Sequence, residues 1–415
     1  MMKWRSFYGI CGIALVLGSC TKEKVPSKEE QPDPRSDKPT PVVVATTVQG
    51  SQSGFAFSFF KELQKTVFPQ ENLFVSPLSL HIALSMVANG AGGTTREEIL
   101  TALEAKNLSV ATLNEASRTL LEVLPKADPE VTLGLANAVF YKNSFPVEAP
   151  FLKTLNDYYK AEVSGLSFQP SDLPVINKWA SDHTNGKIPK VMDELKPDLV
   201  MLLLNALYFK GDWRVKFDKN ATRPATFTKQ DGSTMQVNMM YLNDTVRYAA
   251  TPDFAAVQKP YGNGQFTLTV LLPKTSAVAD LFNQMDAQKW DDLQQAFQTT
   301  KVGVGLPRFK LKQDFRLNAI LEAMGIKKAF TPMVADFSAI SKEPSSISFV
   351  KQSTFIAMNE DGTEAAAVTN IGMVGTSAPL NPQFICNKPF GIIISENTSQ
   401  SILFMGRISQ PVDLP

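Results

Sequence analysis

Side chains able to do chemistry are scarce among these 415 residues. His81 and His183 are the sole imidazoles, and Cys11, Cys20 and Cys386 the sole thiols. No two of them have zinc-ligand spacing, and three cysteines so placed build no disulfide framework. A serine or cysteine nucleophile is most often activated by an imidazole held beside it. His81 lies inside an apolar helical run, and His183 precedes the turn signal Thr184-Asn185-Gly186. HExxH, GxSxG and GxxxxGK(S/T) do not occur. Cys386, in Phe384-Ile385-Cys386, reads as an apolar filler of a strand. Forty-one basic against forty acidic residues leave a net charge of +1, which gives no electrostatic footprint for nucleic acid. The expectation is no enzyme, no metal and no cofactor.

One segment stands apart. Residues 359–380 read Asn-Glu-Asp-Gly-Thr-Glu-Ala-Ala-Ala-Val-Thr-Asn-Ile-Gly-Met-Val-Gly-Thr-Ser-Ala-Pro-Leu. The residues are small, yet they alternate. Thr363, Ala365, Ala367, Thr369, Ile371 and Met373 share one strand face, and Glu364, Ala366, Val368, Asn370 and Gly372 the more polar other. Such a chain can lie exposed as a loop or become a half-buried strand.

The elements that must position it mix two periodicities. Ser76-Pro77, an apolar run to Met86 and Asn89-Gly90 carry the serine cap, first-turn proline and terminal glycine of a helix. Leu78, Ile82 and Met86 repeat every four residues while Leu80, Leu84 and Val87 fill other faces, so this helix is expected to be buried. Residues 200–204 and 266–272 read as interior strands. Helices and strands do not alternate regularly, and the class is α+β.

The N-terminus has its own logic. Lys3 and Arg5 precede an apolar stretch, Phe7 to Leu17, too short to span a bilayer, which ends in Leu17-Gly18-Ser19-Cys20. This resembles a bacterial lipobox, with Cys20 as the lipidated first residue of the mature chain; the alternative is a plain secretory signal. Residues 21–47 are charged and carry prolines at 26, 32, 34, 39 and 41. They read as a disordered tether that reaches roughly 80 Å when extended. The expected organisation is a lipoprotein signal peptide over 1–20, a tether over 21–47 and a folded domain over 48–415. The protein is expected to be exported and lipid-anchored to the bacterial cell envelope, at the outer membrane or cell surface, or else secreted.

Residues Asn359-Glu360-Asp361-Gly362-Thr363-Glu364-Ala365-Ala366-Ala367 resemble the reactive-loop hinge of the serpins. Other blocks of that family follow in order: Asn72 to Ser79, Leu135 to Phe140, Ile176 to Trp179, Thr184 to Ile188, Asn205 to Trp213, Pro307 to Lys310, Ala335 to Ser338, Asn387 to Phe390 and Leu403 to Arg407. The resemblance covers about residues 50 to 413. It implies three β-sheets, about nine helices and an exposed reactive-centre loop. It also implies a suicide-substrate inhibitor of serine endopeptidases that traps its target covalently and inserts the loop into a sheet. The alternative within the family is a non-inhibitory carrier or scaffold.

The resemblance assigns the hinge to Glu360, Gly362, Thr363, Glu364, Ala365, Ala366 and Ala367. It assigns control of sheet opening to Ser76, Ser79, Asn205 and Trp213. Gln352 stands where the family usually has histidine, and its amide both donates and accepts. Counting from the hinge puts the reactive bond at Thr376-Ser377, while counting back from Pro389 favours Ala378; Met373, Val374 and Gly375 are the other candidates. Gly362 to Thr376 spans about 50 Å as a strand, against roughly 53 Å for a compact body of this size. No Lys or Arg occurs between Lys351 and Lys388, which excludes trypsin-like targets because their specificity carboxylate would be buried unpaired. Elastase- and subtilisin-like enzymes, and papain-like cysteine proteases, are the expected partners. Lys106, Arg118 and Lys126 are too dispersed for a heparin site, and a monomer is expected.

Overall fold

A computed structural model describes residues 40–364 and 381–412. The capping signals act as read. Pro77–Gly90 is a helix whose cap, Ser76, accepts a hydrogen bond from the Ser79 amide at 3.2 Å. Among the described residues there are nine α-helices: α1 Thr46–Gln64, α2 Pro77–Gly90, α3 Gly93–Ala102, α4 Val110–Val123, α5 Ala149–Tyr159, α6 Leu173–His183, α7 Val278–Gln284, α8 Ala287–Ala296 and α9 Asn318–Ala323.

Six strands form one sheet: β2 (Val131–Lys142), β3 (Glu162–Leu166), β4 (Met201–Asp212), β10 (Phe309–Arg316), β11 (Lys351–Met358) and the two-residue β12 (Gly362–Thr363). Their order is β10-β11-β12-β4-β2-β3. The second sheet contains β1 (Leu73–Val75), β5 (Arg223–Thr228), β6 (Thr234–Ala250), β7 (Phe254–Pro260), β8 (Phe266–Pro273), β9 (Gln298–Pro307), β13 (Gln383–Ile385), β14 (Phe390–Glu396) and β15 (Ile402–Ile408). Where the resemblance implies three sheets, the hydrogen bonds join two of them. The 17-residue β6 pairs β5 through Thr234–Met239, β9 through Met239–Tyr248 and β7 through Arg247–Ala250, so one strand serves both.

The buried helix α2 lies between the sheets. Its N-terminal residues bond to β11 and β4 on one side, and Ser76 Oγ donates to the Leu403 carbonyl of β15 on the other. Helix α6 covers the opposite face of the six-stranded sheet, packing Ile176, Trp179 and Ala180 against Ala138, Phe140, Leu202 and Ala206. The folded body also starts earlier than the boundary at 48. Val42 and Val44 are buried, the Val42 amide donates to Thr398 Oγ1 at 2.8 Å, and Gln265 Nε2 donates to the Thr40 carbonyl. Two valines at alternate positions give residues 40–47 enough apolar surface to join the core despite Pro41.

Candidate functional site

The two-residue strand β12 is seated between β4 and β11. Thr363 pairs with Met358 of β11 and Gly211 of β4, and Gly362 with Asp212, all antiparallel. A methyl group on Gly362 would stand 2.1 Å from the Gly211 carbonyl oxygen, so glycine is required for this approach. Thr363 is buried, and its hydroxyl meets the Tyr261 hydroxyl at 2.6 Å. Burial drives the Tyr261 phenol well above its ordinary pKa and keeps it neutral.

The residues leading into β12 are clamped. Glu360 is 2% exposed, yet its carboxylate accepts bonds from Arg308 Nη2 at 2.8 and 3.1 Å and from Thr222 Oγ1 at 2.8 Å. Its carbonyl accepts from the Phe217 amide. Asp361 pairs with Lys219 at 2.8 Å, and its carbonyl accepts from the Trp213 amide. Trp213 stacks on Tyr261 with ring centroids 4.5 Å apart and donates its indole N–H to the Asn359 carbonyl at 2.9 Å. Lys259 lies beneath, its ammonium 4.6 Å from the Phe217 ring and 5.2 Å from that of Trp213, and burial pulls its pKa down to about 7. Beyond β12 the Glu364 amide donates to the Ala357 carbonyl at 2.7 Å, and Glu364 itself is left-handed with φ +61°.

Below this wedge the sheet is not joined. Among the described residues, no hydrogen-bonded ladder links Met201–Lys210 of β4 directly to Lys351–Ala357 of β11. A cavity of about 440 Å³ opens between the start of β4 and residues 343–353, lined by Leu80, Leu84, Val87, Leu203 and Phe349 with Trp179 of α6. The polar residues expected to control opening stand at this slot, one set per flank. On the β11 side, Gln352 Oε1 accepts from the Ser76 amide at 2.9 Å and Gln352 Nε2 donates to the Ser76 carbonyl at 2.8 Å. On the β4 side, Ser79 Oγ donates to Asn205 Oδ1, and Asn205 Nδ2 donates to Asn137 Oδ1 at 2.6 Å. Trp213 belongs instead to the hinge clamp.

The imidazoles and the thiol have other roles. His81 faces α1, edge-on to Phe55 and 3.3 Å from Ser51 Oγ, and burial lowers its pKa to about 4. His183 contacts Glu162 at 3.0 Å. The Cys386 thiol is fully buried and pushed well above its ordinary pKa, which removes its nucleophilic form. Among the described residues no cluster of three or more His, Cys, Asp or Glu is placed to hold a metal. Ala365, Ala366, Ala367, Met373, Val374, Gly375, Thr376, Ser377, Ala378 and Cys20 lie outside the described residues. Sequence reasoning missed Arg308, Tyr261 and Lys187. The adjacent acids Glu360-Asp361 beside an inserting strand were the signal, since buried carboxylates demand partners.

The family model for serpins, described as serine protease inhibitors, matches residues 50–411. This chain is a serpin. Human serpin B9 is 32% identical over 88% of this chain and all of its own. The native state of tengpin, a thermophilic serpin, superposes with a TM-score of 0.82 at 30% identity, covering 89% of this serpin and 95% of tengpin. Human thyroxine-binding globulin, complexed with thyroxine, gives 0.81 at 26% identity, covering 88% and 99%. Serpins are inhibitors that bind target proteases and are not enzymes, in agreement with the sequence reading.

Proposed function

We propose that this serpin is a suicide-substrate inhibitor of elastase- or subtilisin-like serine endopeptidases, with papain-like cysteine proteases as further targets. The observation that carries this is the seat of Gly362-Thr363 between β4 and β11 with an unjoined slot beyond it. In the proposed reaction the protease serine oxygen attacks the Thr376 carbonyl carbon. The Thr376–Ser377 peptide bond breaks, an ester to Thr376 forms, and the Ser377 amine departs with the proton. The freed strand then enters the slot before water cleaves the ester.

Register supports the geometry of that step. Both flanks run antiparallel to β12, so each further loop residue pairs with one residue earlier on each flank. Thr369 then falls opposite Asn205 and Gln352, Ile371 opposite Leu203 and Val350, and Met373 opposite Met201, the first residue of β4. The residues that share a face with the buried Thr363 are those of the small-to-apolar set, so Ile371 and Met373 point toward the cavity side of β4. Roughly ten new ladder residues at ~1 kcal/mol each give a driving force of order 10 kcal/mol. Val374 to Thr376 adds about 10 Å beyond the last paired residue, which lets a trapped protease clear the sheet. An ester at Met373 leaves no such spacer, which favours Thr376-Ser377 within 373–378.

We further propose that Cys20 is acylated and anchors the protein to the envelope membrane; Cys20→Ala should release it, and unchanged membrane association would refute the anchor. The main test is incubation with elastase- and subtilisin-like proteases. An SDS-resistant adduct is expected, and mass spectrometry of the released fragment locates the bond. Clean cleavage across these enzymes with no adduct would instead make the chain a non-inhibitory carrier or scaffold. Efficient trypsin trapping within residues 362 to 387 would refute the target class.

A further inference from the structure

We propose that Lys187 is a positioning residue for loop insertion. Its ammonium holds Glu364 in a left-handed backbone conformation at the end of β12, and release of that pair sets the insertion rate. The proposal rests on the inhibitory reading above and adds a rate-controlling contact to it.

Glu364 directly follows β12. Its amide has joined the β11 ladder through the Ala357 carbonyl, while its own φ is +61°, which is not a strand conformation. A side chain with a β-carbon adopts this left-handed conformation reluctantly, and entry of Ala365 requires the backbone here to become extended. The Glu364 side chain is 10% exposed, and its Oε1 lies 2.7 Å from Lys187 Nζ.

Lys187 is itself held in place. It follows the left-handed pair Asn185 (φ 50°) and Gly186 (φ 75°) directly after α6, and its amide donates to the Thr184 carbonyl at 2.9 Å. The next residue, Ile188, is buried, with its amide on Thr184 Oγ1. The Lys187 ammonium stands 5.3 Å from the centre of the Phe355 ring on β11. In the register above, Phe355 and Tyr208 flank Ala366, so the lysine sits beside the lane that the loop must enter. The chain after Lys187 then runs along the slot. Asn177 of α6 bonds both the amide and the carbonyl of Met192, and Lys351 of β11 donates to the Val191 carbonyl. The pair therefore links the hinge to the segment lying over the slot, and insertion disturbs both.

Lys187→Met keeps an apolar stem over Phe355 and removes the charge, and Glu364→Gln removes the other charge. Each should raise about fivefold the rate at which the protein, warmed without protease, inserts its own uncleaved loop, read as the appearance of a heat-stable form. Each should also reduce the inhibitor molecules consumed per protease trapped. The double neutral variant should be no faster than either single one, and the swap Lys187→Glu with Glu364→Lys should return toward the original rate. An unchanged conversion rate in Lys187→Met, or a swap that behaves as the sum of two losses, overturns the proposal. Conversion is read without a protease, so failure to form any adduct counts against the inhibitory reading and leaves the Lys187 result intact.

Discussion

At the hinge end of the slot Glu360, Asp361 and Thr363 are almost wholly buried and each has a partner; at the far end Leu203, Phe349 and Val350 line a cavity, and among the described residues no ladder joins the flanks. Charge, hydrogen bonds and a glycine fix the first end to one register. The second end is apolar and unspecific by comparison. A strand that enters from the hinge inherits the register of β12, so the far end needs only room and hydrophobicity. Control is concentrated where the chain enters, and the driving force is spread where it finishes.

The strongest way to break this comparison is Ala365→Arg. Thr363 is already buried before insertion, whereas position 365 follows it onto the same face only as the strand enters, so the guanidinium would be buried in that step and insertion should lose to deacylation by more than about 100-fold. A gel showing cleaved protein in place of adduct is expected; full adduct yield would mean that the inserting face is misassigned. Arg308→Met comes next. It leaves the Glu360 carboxylate buried without its main partner, and urea denaturation should register a loss of about 3–5 kcal/mol.

Acid provides a third probe, through His81, which faces α1 and not the slot. The folded-state pKa of His81 is lowered to about 4 from 6.5. Its contribution to stability is thus fully present above pH 6.5 and is lost as the pH falls to 4, by up to about 3 kcal/mol. Gln352 carries no titrating group, so the fraction of protease trapped rather than released should stay flat over this window once the protease's own profile is divided out. A parallel fall would place an acid-sensitive group in the opening control. The smallest effect is Gln352→Leu, which orphans the Ser76 amide and leaves the Ser76 carbonyl only its bond from the Leu80 amide. A loss of about 2 kcal/mol is expected by the same denaturation, with faster conversion to the heat-stable form.

The sequence exposes what is local. Ser76-Pro77 and Asn89-Gly90 bound α2 because caps and glycines act within one turn, and the alternation through Thr363 reveals its buried face because strand period needs no tertiary context. Arg308 and Glu360 are 52 positions apart, and nothing in either neighbourhood specifies the other. Lys187 and Glu364 meet because α6 crosses the sheet, a fact of packing rather than of pattern. The tether boundary misses for a related reason. Val42-Val43-Val44 is a short apolar run after a charged, proline-punctuated stretch, and which of its residues are buried becomes visible only when the body supplies Thr398 and Gln265 beside them.

The open lane between β4 and β11 also changes how this protein behaves in a crowd. Free strand edges belong ordinarily to the margin of a sheet, where charge, proline or a bulge keeps other chains away. Here one lies in the sheet's interior, flanked by Leu202, Leu203 and Leu204. Any extended segment with suitable alternation, above all one from a partly unfolded sister molecule, competes for the same hydrogen bonds. Warming and concentration should therefore drive self-association before global unfolding, and the protein's own concentration becomes a limit on its working life.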